Sequence, residues 1–182
     1  MTRKSKAHQM ALSGVMAAII CILGPLAIPL GMVPITFTNL AVYLALYALG
    51  TKKGTISYII YLLIGFVGVP VFSGFTGGPS KLLGPTGGYL IGFIFMALLA
   101  GYIIDKFFPK WHLCVIGLIL GTTVLYAFGT AWLSYQANLS AGAALAAGVI
   151  PFIPGDLAKI LLASIIGPQI RKKLIKVHLF MP

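Results

Sequence analysis

The chain contains two acidic side chains, Asp105 and Asp156, and the second stands in the segment PGDLAK, residues 154–159, three positions before Lys159. Residues three apart share one face of a helix. The surrounding sequence is apolar, and a charge at the centre of a membrane helix costs about 2.5–3.5 kcal/mol on insertion scales. Such a pair belongs inside a bundle rather than against lipid. It sets an acceptor-only carboxylate beside a donor-only ammonium, with a summed charge near zero. That suits a neutral polar group with N–H donors on one side and a carbonyl on another: an amide, a urea-like ring or a nucleobase edge. The plainer alternative is a pair that only neutralises itself in a packed interior, although leucines fill such a space with less desolvation.

Other residues extend the pattern. Phe37, Phe72, Phe75 and Tyr89 can wall a concave pocket with few polar groups; singly, each can equally be packing or an interface belt. Thr36, Thr38 and Asn39 open an apolar span, where they can bond a ligand, cap the helix or bond across to a neighbour. Gln136 has the same choices. Residues 70–88 read PVFSGFTGGPSKLLGPTGG. Glycines such as Gly74, Gly78 and Gly87 free the backbone, and the prolines fix it locally. A helix is unfavourable through most of this segment, and its backbone groups need protein or water around them. It should cap or line a cavity at a membrane face.

Other chemistries lack their residues. His8, His112 and His178 are far apart, and Cys21 and Cys114 sit in separate apolar runs, so the sequence offers no metal cluster, disulfide framework or redox motif. No P-loop, HExxH or GxSxG motif occurs. The chain reads as a non-enzyme with no cofactor of its own, and any ATP-driven step must come from a partner.

The elements that hold these residues follow from composition. Hydrophobic residues make up 59% of the chain and charged ones 8%, against about 25% charged in soluble domains. The net charge of +11 sits in clusters between apolar runs, which points to a positive-inside membrane protein and not to nucleic-acid binding. Spans are expected over residues 11–30, with an outer end kinked or unwound by Pro25 and Pro29, 36–49, 56–69, 89–107, 113–133 and from about 144 or 149 to 170. This is an all-α, six-helix bundle in the lipid bilayer, with residues 1–182 as one membrane domain. The first span is read as a retained helix rather than a cleaved signal. An alternating path gathers eleven of the thirteen Lys and Arg residues on one side: the N-terminal cluster, Lys52 and Lys53, Lys106 and Lys110, and the C-terminal cluster. Lys81 lies opposite and Lys159 inside a span. Both termini are therefore expected in the cytoplasm. Span one carries Ala7, Ala11, Gly14 and Ala18 at small-xxx-small spacing, which lets another helix approach closely.

Four segments together resemble the BioY family, the biotin-binding S components of energy-coupling factor (ECF) transporters: VPITF at 33–37, GxxGxPVFSGFTGG at 65–78, GPTGGYLIGF at 84–93 and IPGDLAK at 153–159. The likeness runs over nearly the whole chain. It implies a six-helix bundle in a prokaryotic plasma membrane that holds biotin near the outer face, under loop one and the Gly-rich loop. It also implies partners: a transmembrane coupling protein and two cytoplasmic ATPases. Asp156 and Lys159 match the polar pair at the end that receives the ureido ring. Ala7, Ala11, Gly14 and Ala18 match the surface that meets the coupling protein. Thr38 departs from the pattern, since many relatives have Gln there; the shorter side chain implies a contact that is lost, bridged by water or taken by Asn39. Three other readings of the residues stay open: an S component for another small vitamin, a stand-alone proton-coupled carrier, and a membrane assembly protein that binds no ligand.

Overall fold

The computed structural model describes residues 3–29 and 31–177, with side chains from Ala7 onward. Leu30 and His178 therefore lie outside the described residues, as do the side chains of Arg3, Lys4 and Lys6. The helices are α1 (Arg3–Leu23), α2 (Thr38–Phe66), α3 (Pro79–Leu83), α4 (Gly87–Phe107), α5 (Trp111–Ala137), α6 (Ala141–Gly148) and α7 (Ile153–Lys176). A 3-10 turn, Ile150–Phe152, joins the last two. Between α1 and α2 runs a small antiparallel hairpin, β1 (Ala27–Ile28) with β2 (Ile35–Thr36), in which Ala27 faces Thr36 and Ile28 faces Ile35.

The outer end of span one is unwound, as its two prolines imply. Helix stops at Leu23, and the stretch containing Pro25 and Pro29 is extended instead of helical. Each proline removes a helical N–H donor and clashes with the preceding turn. The last span is longer than expected, because α7 continues through the basic cluster to Lys176 with Pro168 inside it.

The helix α2 is two arms. Gly50 has φ 77° within it, a conformation that suits glycine. A Cβ on Gly54 would lie 3.2 Å from the Cα of Leu46, whereas eight residues of straight helix span about 12 Å. The chain doubles back here, so residues 38–49 and 51–66 run side by side. This is the turn expected at Lys52 and Lys53.

The bundle is arranged for lipid. On α7 the buried residues Asp156, Lys159, Ile160, Ala163, Gly167 and Arg171 follow helical spacing, and Leu157, Leu161, Leu162 and Ile165 are exposed on the other side. Its polar face turns inward and its apolar face outward, the reverse of a soluble amphipathic helix. Helices α4 and α5 pack closely through small residues: a Cβ on Gly121 would sit 2.9 Å from that of Ala100, and one on Gly92 3.1 Å from that of Phe128. Among the described residues, Gly87–Phe107, Trp111–Ala137 and Ala141–Lys176 are long and apolar enough to cross a membrane. The protein is an all-α membrane protein with several long apolar helices.

One end of the bundle is tied by Asp105. Its Oδ1 accepts from Arg171 Nη2 at 2.7 Å, and its Oδ2 accepts from the Thr51 amide at 2.8 Å and the Thr51 hydroxyl at 2.6 Å. The Arg171 guanidinium also stacks 4.7 Å from the Phe108 ring centre. One carboxylate thus joins the α2 turn, the end of α4 and the end of α7. Beside it, burial pushes the Lys53 amine below its ordinary value, and Asp105 opposes that shift. Asp105→Ala is expected to destabilise the bundle by about 2–3 kcal/mol, below the range for a fully buried pair because the Asp105 side chain is 25% exposed. Denaturation in detergent measures this, and an unchanged midpoint would remove Asp105 from the fold's support.

Candidate ligand site

Asp156 sits in the first turn of α7. Pro154 lies at the start of this helix, where its missing N–H costs nothing, and the positive end of the helix favours a carboxylate in that turn. Both members of the pair are buried, Asp156 to 7% exposure and Lys159 to 9%. Lys159 Nζ lies 3.0 Å from Asp156 Oδ1 and also donates to the carbonyl of Thr36 at 2.7 Å. The hairpin after α1 and the start of α7 are thereby joined through an ammonium.

Two further groups complete the arrangement. Asn39 Nδ2 donates to Asp156 Oδ1 at 2.7 Å, and the Tyr126 hydroxyl donates to Asp156 Oδ2 at 2.6 Å. A carboxylate offers about four lone-pair sites and an ammonium three protons. Three of the sites are filled by Asn39, Lys159 and Tyr126, and two of the Lys159 protons by Asp156 and Thr36. Left over at this end are one acceptor position on Asp156 Oδ2 and one Lys159 proton. The pair is thus neither fully self-satisfied nor open to a highly charged solute.

These groups open on a pocket with about 630 Å³ of empty space, a figure that includes the part open to solvent. Val33, Leu90, Leu125 and the rings of Tyr61, Tyr89, Phe93, Tyr126 and Phe152 form its apolar walls; Thr36, Thr38, Ser73 and Thr86 also line it. Residues 67–86 lend Ser73 and Thr86 to the lining and are fastened on two sides. Gly74 N donates to Pro25 O at 3.0 Å on the α1 side. On the α5 side, Trp132 Nε1 donates to Gly84 O at 2.9 Å, and Gln136 Nε2 to Leu83 O. Within this cap Lys81 is half-buried, and burial pushes its amine below the ordinary value.

Of the residues expected to contact a ligand, Asn39, Tyr89, Asp156 and Lys159 line the cavity. The other aromatics do not. Phe72 is fully buried, edge-on to Tyr61 at 5.5 Å between ring centres, and occupies the space left by the absent side chain of Gly65. It packs the cap onto α2 and is core. Phe37 and Phe75 are exposed, Phe75 with φ 56° in the turn of the cap. Gly74 and Gly78 have φ 72° and 92° and shape the turns of the cap without lining the cavity. Gly87 lets α4 begin against α3, since a Cβ there would overlap the Leu82 carbonyl. Gln136 ties the cap down. The cap is non-helical through most of its length, as expected, and contains the short α3.

The sequence reading missed Tyr126, Tyr61, Phe93 and Phe152. Tyr126 carried a usable signal: a hydroxyl in the middle of an apolar span needs a partner, and Asp156 is one of two carboxylates in the chain.

A family model described as the BioY family matches residues 1–176. Biotin transporter BioY2 of Lactococcus lactis subsp. cremoris is 36% identical over 165 residues, 91% of each chain. Biotin transporter BioY of Thermotoga maritima is 36% identical over 166 residues, 91% of this chain and 96% of that one. A crystal structure of the S-component for biotin from an ECF-type ABC transporter superposes with a TM-score of 0.87 at 36% identity, covering 94% of this chain and 95% of its own.

Proposed function

The chain belongs to the BioY family, and on that premise we propose that it captures biotin at the outer membrane face and serves as the substrate-binding component of an ATP-driven ECF transporter. It is a multi-pass protein of the plasma membrane and a transport protein rather than an enzyme. The observation that carries the reading is the set of unspent hydrogen-bonding positions at the Asp156–Lys159 end of an otherwise apolar cavity. A ureido ring has two N–H donors and one carbonyl. The remaining Lys159 proton suits the carbonyl, and the Asp156 end suits the N–H groups. The apolar walls suit the bicyclic ring and its aliphatic chain.

Six spans are supported by α1, the two arms of α2, α4, α5 and α7. Asp105, Thr51 and Arg171 join three of the basic regions at one end of the bundle, while the cavity and its cap are at the other. Cytoplasmic termini follow from the positive-inside rule applied to that end. In this reading the coupling protein and two ATPases are separate chains. The exposed small residues Ala7, Ala11, Gly14 and Ala18 on α1 are the face that meets the coupling protein. The cap opens to admit biotin and closes over it. The bundle then reorients with its partner, and no bond in biotin changes.

Equilibrium binding of labelled biotin to the purified protein in lipid discs tests this, with other small vitamins as competitors. Saturable binding that excess biotin displaces, and other vitamins do not, is the expected result. Tighter binding of another vitamin would reassign the substrate, and no binding of any of them would end the reading. Uptake into liposomes that needs a proton gradient and no ATPase would favour a stand-alone carrier.

A further inference from the structure

We propose that the Tyr126 hydroxyl is the group by which this site selects a ring N–H, because its proton is committed to Asp156 and only its oxygen lone pairs are left for the cavity. This rests on the reading that biotin is the occupant, and it assigns one of the ring's contacts. Tyr126 comes from the middle of α5 and lines the same cavity as Asp156, Lys159 and Asn39. Its oxygen is 2.6 Å from Asp156 Oδ2, the short distance of an O–H bond to a charged acceptor. An ionised carboxylate has no proton to give, so the direction of this bond is settled: tyrosine donates. Among the described residues the Tyr126 oxygen makes no other hydrogen bond.

The neighbours have different freedoms. Lys159 can only donate. Asn39 carries both a donor and an acceptor, and its carbonyl already meets the Leu40 amide at 3.1 Å. Tyr126 offers a fixed, acceptor-only oxygen on the α5 wall; the Tyr89 hydroxyl, which donates to Gly148 O at 2.8 Å, is its counterpart on α4. A ligand N–H placed there is satisfied. A ligand carbonyl or ether oxygen placed there meets lone pairs and remains unsatisfied in a buried site, which rejects it far more strongly than a missing apolar contact does.

The test uses biotin and its two mono-N-methyl derivatives, one at each ureido nitrogen, bound to the purified full-length chain in lipid discs. In the parent protein, methylation of the nitrogen facing Tyr126 should weaken binding by on the order of tenfold or more. In Tyr126→Phe, that derivative should lose most of its disadvantage against biotin, while the ratio for the other derivative stays as it was. Asp156→Asn gives a second route should Tyr126→Phe not fold. Asn39 and Lys159 both donate toward Oδ1, so the new amide turns its oxygen to them and its NH2 to Tyr126. The tyrosine proton is then released toward the cavity, and the same ratio should fall, measured at the higher concentrations this variant needs. If each variant weakens biotin and both derivatives by one common factor, Tyr126 only holds Asp156 in place and the proposal is overturned. A parent protein that binds no biotin would instead overturn the substrate reading, and the proposal with it.

Discussion

Asp156→Asn is expected to weaken biotin binding by two to three orders of magnitude, equivalent to about 3–4 kcal/mol, while the bundle stays folded. Truncating one partner of a buried, hydrogen-bonded charge pair at a binding site costs about 2–5 kcal/mol, and much of that is the charge left behind. Here that charge is Lys159, 9% exposed. The substitution keeps the shape of the side chain but removes the negative charge that holds the ammonium, the Asn39 amide and the Tyr126 hydroxyl in their places. Asn39 and Lys159 keep an amide oxygen as acceptor but lose the charge that balanced the ammonium, and Tyr126 loses its acceptor altogether. Calorimetric titration in lipid discs measures the loss, with the unfolding midpoint of the ligand-free protein as the control. Unchanged affinity would take Asp156 out of the site.

A neutral double variant separates binding from folding. Replacing Asp156 with Leu and Lys159 with Met removes both charges, and apolar replacements of buried ion pairs are often neutral or stabilising by about 1–4 kcal/mol. The double variant should therefore be at least as stable as the parent protein and still not bind biotin. A pair that served only to neutralise itself would give the opposite pattern, with binding retained wherever stability is retained.

Much of this architecture could be read from the residues, and the exceptions share a physical cause. Charges are legible in an apolar chain because each is expensive in lipid and must be given a place. The Asp156–Lys159 pair and the turn at Lys52 and Lys53 were found on that ground. Apolar helices are less legible. Where both faces of a span are hydrophobic, periodicity does not say which one turns inward. Phe72 and Phe75 are three residues apart in the same glycine-rich segment, yet one is fully buried and the other 67% exposed. The difference arises from the notch at Gly65, on a different element. The hairpin after Leu23 was equally hidden. Pro25 and Pro29 announce the end of a helix, but pairing with Ile35 and Thr36 is a contact made across the turn. Asp105 was visible as a charge at a membrane edge, and its bonds to Thr51 and Arg171 needed the fold to bring three elements together.

Leucine at both Ala11 and Gly14 is expected to leave biotin binding within about twofold of the parent protein and to lower ATP-driven uptake by the assembled complex at least tenfold. The two effects separate because of how α1 sits. Ser13, Ala17 and Ile20 face the bundle and are buried, while Ala7, Ala11, Gly14 and Ala18 face outward. A Cβ on Gly14 would meet no atom within 4 Å, so a larger side chain projects away from the bundle and cannot disturb the cavity. Lipid tails are as apolar as leucine, so the new side chains carry little penalty in the lone protein. Helix association in a bilayer instead depends on close packing, and small residues at this spacing are what permit it. Two leucines would hold a partner helix away along the length of the contact. Val15→Ile, at a position that is 57% exposed but outside the small-residue stripe, is the control and should change neither measurement. Uptake at the full rate from the double leucine variant would mean that the coupling protein docks elsewhere, since nothing within the bundle could compensate for a face it does not touch.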